Sequence, residues 1–222
     1  MEVLKTFRHE YKFVIPYSEM ANLRNKLDDV LTLDRGGPYM VRSLYFDSYD
    51  DVDYYSKLNG DMVRKKIRLR IYDLNSDKAK MEIKGKIDMH QLKESLVIEK
   101  SDALELLKEN YSVLLNYDNE LAYRLYSILS EGYIPKVVIE YDRVAYITTT
   151  TTRITFDYNI KRSNRVDDFY SDKINYLELT NPNDVVLEVK FDRFLEPYIA
   201  KILEKYISRN QSVSKYVMGR NI

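Results

Sequence analysis

The chain has 222 residues, 45% of them hydrophobic, with 35 basic and 35 acidic side chains and no cysteine. Cancelling charge excludes an overall cationic field of the kind that collects nucleic acid without sequence preference, so an anion site has to be local. The missing cysteines exclude disulfides, thiolate chemistry and cysteine-based zinc sites, and make an intracellular, cytoplasmic protein the economical expectation.

The start of the chain, MEVLKTFRHEYKFVIP, mixes charges into its apolar positions and lacks a secretory core. No run approaches the roughly 20 apolar residues of a membrane span, so a soluble chain is expected. Residues 7–15 alternate between apolar and charged side chains and predict a first strand. After Pro16, apolar residues near the 3.6 period predict a helix over 17–31, with Ser18 as its N-cap. The Gly-Gly-Pro of residues 34–38 predicts a loop. Strands follow over 41–47, 64–72, 80–86 and 93–100, helices over 102–110 and 119–131, and strands over 136–147, 153–160 and 185–191. The threonine run 148–152 reads as a strand end or hairpin. A last helix over 194–209 presents Leu195, Ile199, Ile202, Leu203 and Tyr206 as one stripe. No linker or repeat divides the sequence, so residues 1–222 are expected to form a single domain. Runs of strands interrupted by a few helices predict an α+β fold built on an antiparallel sheet.

The strands share one property. Lys66, Arg68 and Arg70 alternate with Ile67, Leu69 and Ile71, and the same holds for Arg8, Glu10 and Lys12, for Glu82 and Lys84, for Arg153, Thr155 and Asp157, and for Glu188 and Lys190. Successive side chains of a strand point to opposite faces, so each strand has a charged face and an apolar one. For one strand, a face in water explains this. For five, like charges on neighbouring strands call for an anion between them. A closed antiparallel β-barrel resolves the conflict if helices cover its apolar outside and charges line its bore. Arg68, Arg70, Arg153, Lys12, Lys84 and Lys190 could then hold a chain of phosphates. Glu10, Glu82, Glu140 and Glu188 offer oxygen ligands for Mg2+ or Mn2+.

The segments RHEYKF (8–13), LYFDS (44–48), IRLR (67–70), EIKGK (82–86), KESLVI (93–98), EYDRVAY (140–146), RITFD (153–157), VVLEVKF (185–191) and SVSKY (212–216) resemble, in order and over nearly the whole chain, the VTC domain. This is the polyphosphate polymerase branch of the triphosphate tunnel metalloenzymes, the CYTH-like superfamily. The resemblance implies a triphosphate tunnel, a divalent cation (Mn2+ or Mg2+), and transfer of the terminal phosphoryl group of ATP to inorganic polyphosphate. By position it implies phosphate contacts from Lys12, Arg68, Arg70, Lys84, Lys93, Arg143 and Arg153, to which the alternation along 66–71 adds Lys66, with Arg68, Arg70, Lys84, Arg153 and Glu188 the catalytic set. Glu188 would hold the metal, with Glu10 and Glu82 as further ligands, Lys190 beside it, and Lys215 closing one end. Relatives that hydrolyse or cyclise triphosphates usually open with Glu-x-Glu-x-Lys; Arg8 at the first glutamate favours holding phosphate over a second metal. Ser212 stands about where eukaryotic VTC domains have a second lysine, so that chain extension would be weaker or Arg209 or Arg220 would substitute. No nucleic-acid partner is expected, and export of a product would need a separate membrane partner. His9 and His90 read as structural, His90 in a loop; Asp47 reads equally as a turn former or a ligand contact. Two rivals stay open: hydrolysis of triphosphate or short polyphosphate, and a non-catalytic polyphosphate- or nucleotide-binding module.

Overall fold

In the computed structural model, which describes residues 8–87, 90–148, 151–207 and 211–220, the alternating segments are strands. In chain order they are β1 (Arg8–Pro16), α1 (Tyr17–Asp28), β2 (Thr32–Leu33), β3 (Tyr39–Ser48), α2 (Val52–Asn59), β4 (Val63–Ile71), β5 (Lys78–Ile87), β6 (His90–Glu99), α3 (Lys100–Leu107), α4 (Glu120–Ser130), β7 (Tyr133–Ile147), β8 (Arg153–Ser163), β9 (Leu177–Glu178), β10 (Asp184–Asp192), α5 (Pro197–Ile207) and α6 (Lys215–Arg220). Helix α1 begins directly after Pro16, and Ser18 lies inside it rather than capping it. At α4 the Asn119 side chain accepts the Leu121 N–H at 2.8 Å, satisfying one of the free donors of a helix start. His90 opens a strand, not a loop. Phe7, Thr149, Thr150, Arg209 and the His90 side chain lie outside the described residues.

The α+β class holds, with a large antiparallel sheet in the order β1-β10-β8-β7-β3-β4-β5-β6, while β2 pairs with β7 and β9 with β8. The order begins at β1 and ends at β6, so among the described residues strand pairing does not draw the expected closed barrel. Side-chain period tells which face a residue takes and carries nothing about whether two edges meet.

The chain forms two compact units. The first takes the described residues of Met1–Met40, Tyr141–Ile160 and Thr180–Ser214. Its core packs Phe13, Val144, Tyr146, Phe156 and Leu187 from the strands against Leu23 and Leu27 of α1 and Leu203 and Tyr206 of α5. The second takes those of Val41–Glu140, Lys161–Leu179 and Lys215–Ile222. There Leu44, Phe46, Ile67, Leu69 and Met81 pack against Leu106 of α3, Leu125 of α4 and Phe169. Each such side chain contributes about 1.5–3 kcal/mol by leaving water, so in both units the apolar face of the strands is fixed toward helices and the charged face is left for other work. No helix among the described residues is long and apolar enough to cross a membrane.

Candidate functional site

In the second unit, pairing sets β3, β4, β5 and β6 side by side and lines up their charged faces in rows. One row is Lys66, Lys84 and Lys93, directly paired across three strands. The next is Tyr45, Arg68, Glu82 and Ser95. Glu82 is almost fully buried (1% exposed) and accepts Arg68 Nε at 2.6 Å and Lys93 Nζ at 2.6 Å, with Arg70 Nη1 at 3.6 Å. Burial would raise its carboxyl, but Arg68, Arg70 and Lys93 outweigh burial and hold it well below the usual range. Arg70 is fixed further by Ser43 Oγ, which accepts its Nε at 3.0 Å. The Tyr45 phenol accepts from Arg68 Nη1 at 3.3 Å; burial would raise it, while Arg68, Arg70 and Lys215 bring it below its ordinary value. Lys66, Arg68, Arg70, Lys80, Lys84 and Lys93 thus share one face of three paired strands, with Lys80 opposite Arg70 and Glu82 among them. Like charges directly opposite each other destabilise a sheet, and an anion laid along the rows removes that cost.

In the first unit the signs interleave. Lys12 pairs with Glu188 and Glu10 with Lys190 across β1 and β10, and Lys190 pairs with Arg153 across β10 and β8. Lys12 forms an ion pair with Glu10, and Lys190 contacts Glu188 and lies 3.8 Å from Glu10 Oε2. Across β1 and β10 the register puts carboxylates opposite lysines, whereas across β10 and β8 it sets Lys190 opposite Arg153, as the like-charge expectation has it. Arg143 grips the fully buried Asp157 with two bonds, Nε to Oδ1 at 2.6 Å and Nη2 to Oδ2 at 2.8 Å. Burial would lower the Arg143 guanidinium, but Asp157, Tyr141 and Glu188 hold it well above its usual value. Arg153 Nη2 bonds Asp34 Oδ2 at 2.6 Å and Tyr39 Oη at 3.2 Å, which ties the 34–38 loop to β8.

Other expected residues fall elsewhere. Glu140 does not join the Arg70 row. It accepts from Arg42 Nε at 2.5 Å and Tyr176 Oη at 2.8 Å and pairs with Lys161 at 3.0 Å. Arg42 precedes Ser43, the partner of Arg70, so it belongs to the opposite, apolar face, and Glu140 balances a buried charge there. Asp47 is a structural residue: its carboxylate accepts the N–H groups of Ser48, Asp53 and Tyr54 at 2.8–2.9 Å. Arg220 pairs with Asp51 at 2.5 Å. His9 stacks on Phe191, ring centres 5.1 Å apart.

The sequence pattern of the VTC domain matches residues 7–222. The chain belongs to the VTC domain family. It is thereby a member of the triphosphate tunnel superfamily. A search among curated proteins finds no match. Among solved structures the fold is similar to a proposed adenylate cyclase from Bacillus halodurans, with 13% identity, 92% of each chain covered and a TM-score of 0.57. A second proposed adenylate cyclase, from Vibrio parahaemolyticus, has 12% identity, covers 97% of this chain and 98% of that one, and gives a TM-score of 0.54. At these identities the likeness concerns the fold.

Within this VTC domain, the residues that sequence reasoning passed over are tyrosines. Tyr45, Tyr39 and Tyr141 each place a phenol on an arginine of the charged faces, at Arg68, Arg153 and Arg143 respectively. Their signal was available, since Tyr45 and Tyr141 stand inside the LYFDS and EYDRVAY segments, but tyrosine at a strand position reads first as packing.

Proposed function

We propose that this VTC domain is a metal-dependent polyphosphate polymerase that moves the terminal phosphoryl group of ATP onto inorganic polyphosphate. The observation that carries the reading is the paired row Lys66, Lys84 and Lys93 beside Arg68 and Arg70, which strand register brings together on one face around the buried Glu82. Its neighbouring-strand spacing suits an extended chain of phosphates better than a single anion. The reading brings the closed tunnel with it as part of the proposal.

Of the three carboxylates expected to bind metal, two suit the task. Glu10 and Glu188 converge on the Lys190 ammonium, so two oxygen donors already face one positive position. Mg2+ or Mn2+ is commonly held by one or two carboxylates together with substrate phosphates and water. Among the described residues no cluster of three or more potential ligands occurs. Glu82 suits it poorly, because three cations already occupy its oxygens. When bound, the ion would neutralise charge on the phosphates.

The protein's own part is positioning. An acceptor phosphate oxygen is already anionic and needs little deprotonation, so no general base is called for. Arg68, Arg70, Lys84 and Lys93 would hold donor and acceptor in line and stabilise charge at the transferred group, and Arg143, Arg153, Lys12, Lys190 and Lys215 would fix the remaining phosphates. The test incubates purified protein with ATP and Mn2+ and reads polyphosphate on a gel with free phosphate in parallel. Polymer is expected, and its loss in both Arg70→Ala and Glu188→Ala, with circular dichroism showing that each variant is still folded at the assay temperature, would support the site. Free phosphate without polymer would move the protein to the hydrolase reading, and metal-independent binding without turnover to the binding module.

A further inference from the structure

We propose that Asp47 and Tyr216 form a buried latch that positions Lys215 beside the Arg68 and Tyr45 pair. The proposal rests on the phosphate-binding reading above and adds two positioning residues to it, neither of which touches phosphate. Asp47 is fully buried at the end of β3. Helix α2 starts from Asp51, which sits in the left-handed region (φ 59°) and gives the helix no side-chain cap. Asp47 supplies that cap from the preceding strand: Oδ1 takes the Ser48 and Asp53 N–H groups, and Oδ2 takes the Tyr54 N–H. A carboxylate has room for about four donors, and the fourth place on Asp47 is filled by the Tyr216 hydroxyl, which donates to Oδ2.

Tyr216, at 2% exposure, is locked from several sides. Its ring stacks on Tyr45 with centres 5.0 Å apart, and Tyr54 meets it edge-on at 6.3 Å. Lys66 Nζ lies 6.0 Å from its ring centre. Thus one side chain joins the capped start of α2 to both charged rows. Six residues do not form a stable helix alone, so α6 depends on tertiary anchors. Further anchors lie at its far end, where Arg220 bonds Asp51 and the Gly219 carbonyl accepts Arg162 Nη1 at 2.9 Å. Lys215 is adjacent to the Tyr216 anchor, and its charge is felt at the Tyr45 phenol. A lysine side chain carries a mobile four-carbon stem, so fixing its backbone decides how much of its charge reaches a phosphate.

Calorimetric titration with sodium tripolyphosphate, without metal, tests the latch on the full chain. The variants are Tyr216→Phe, which removes one oxygen, Lys215→Ala, and the double. Tyr216→Phe should weaken binding about fivefold, the worth of one hydrogen bond. In the Lys215→Ala background the same change should have no further effect, whereas a general loosening of the fold would lower affinity in both backgrounds. Hydrogen exchange in residues 215–220 should rise in Tyr216→Phe, and this readout requires no ligand. Unchanged affinity in Tyr216→Phe, additive losses in the double, or unchanged exchange would overturn the latch and leave the phosphate reading standing. If the wild-type chain does not bind tripolyphosphate at all, the phosphate reading falls and the latch proposal with it.

Discussion

Glu82 shows how a charge that looks like a ligand can be a counterweight. Its two oxygens are spent on Arg68 and Lys93, with Arg70 close by, and they keep those cations together in a nearly dry position. Removing one partner of a buried ionic group typically costs about 3–5 kcal/mol, because the remaining charges are left uncompensated. Glu82→Gln should therefore lower unfolding free energy by about 3 kcal/mol in urea at pH 7. Tripolyphosphate should restore more stability to the variant than it adds to the wild type, since it replaces the lost negative charge. Equal gains in both would reject the counterweight role. The sign with pH follows from the depressed carboxyl. Its contribution is fully present above the unfolded value of about 4.3 and is lost as pH falls through the lower folded value, so the two proteins should converge only in acid below that point. The alternation of charges made the face of Glu82 legible in the sequence, but not its company. Whether a carboxylate meets three cations, as Glu82 does, or interleaves with lysines, as Glu188 does with Lys12 and Lys190, is decided by long-range register.

At the scale of elements, the long periodic segments were readable and the short anchored ones were not. Strands β4, β8 and β10 and helix α4 follow from period and capping, whereas α2 is capped from the preceding strand by Asp47, which no standard N-cap position shows, and α6 is pinned by the long-range bond from Tyr216 to Asp47. The motif SVSKY was visible without the helix that it opens. Gly219 in α6 makes the dependence testable. A Cβ there would stand 2.3 Å from Ile139 Cδ1 and 3.6 Å from Val137 Cγ2, both in β7. In a free helix Gly→Ala stabilises by about 1 kcal/mol; against a packed wall, overpacking costs about 1–3 kcal/mol. Gly219→Ala should therefore destabilise in urea unfolding. Ile139→Val removes the clashing methyl, so the double variant should lose less than the sum of the two single losses. Strict additivity would mean that α6 does not bear on Ile139 as described.

For the molecule as a whole, zero net charge hides an uneven distribution. Composition excluded a global cationic field, and strand register gathers Lys66, Lys84 and Lys93 beside Arg68 and Arg70 on one face. Closure of the sheet lay beyond the sequence, because alternation assigns faces and is silent about edges. The charge distribution, however, has a consequence for the intact chain. Binding driven by a local array should weaken with salt even though the protein is neutral overall, because the screening length falls from about 10 Å at 0.1 M to about 3 Å at 1 M, shorter than the spacing of cations in successive rows. Lys93, with its side chain half exposed, gives solvent ions access to the array, whereas Arg68 and Arg70 are largely covered, so screening should be substantial without being complete. Tripolyphosphate affinity is expected to drop about tenfold between 0.1 and 1 M NaCl, while the urea midpoint of the free protein changes little. Lys93→Gln should flatten that dependence by removing the most accessible cation. Affinity indifferent to salt would mean that shape and hydrogen bonding, rather than the charge of this array, select the ligand, and would take away the support that the paired lysines and arginines give to the polymerase reading.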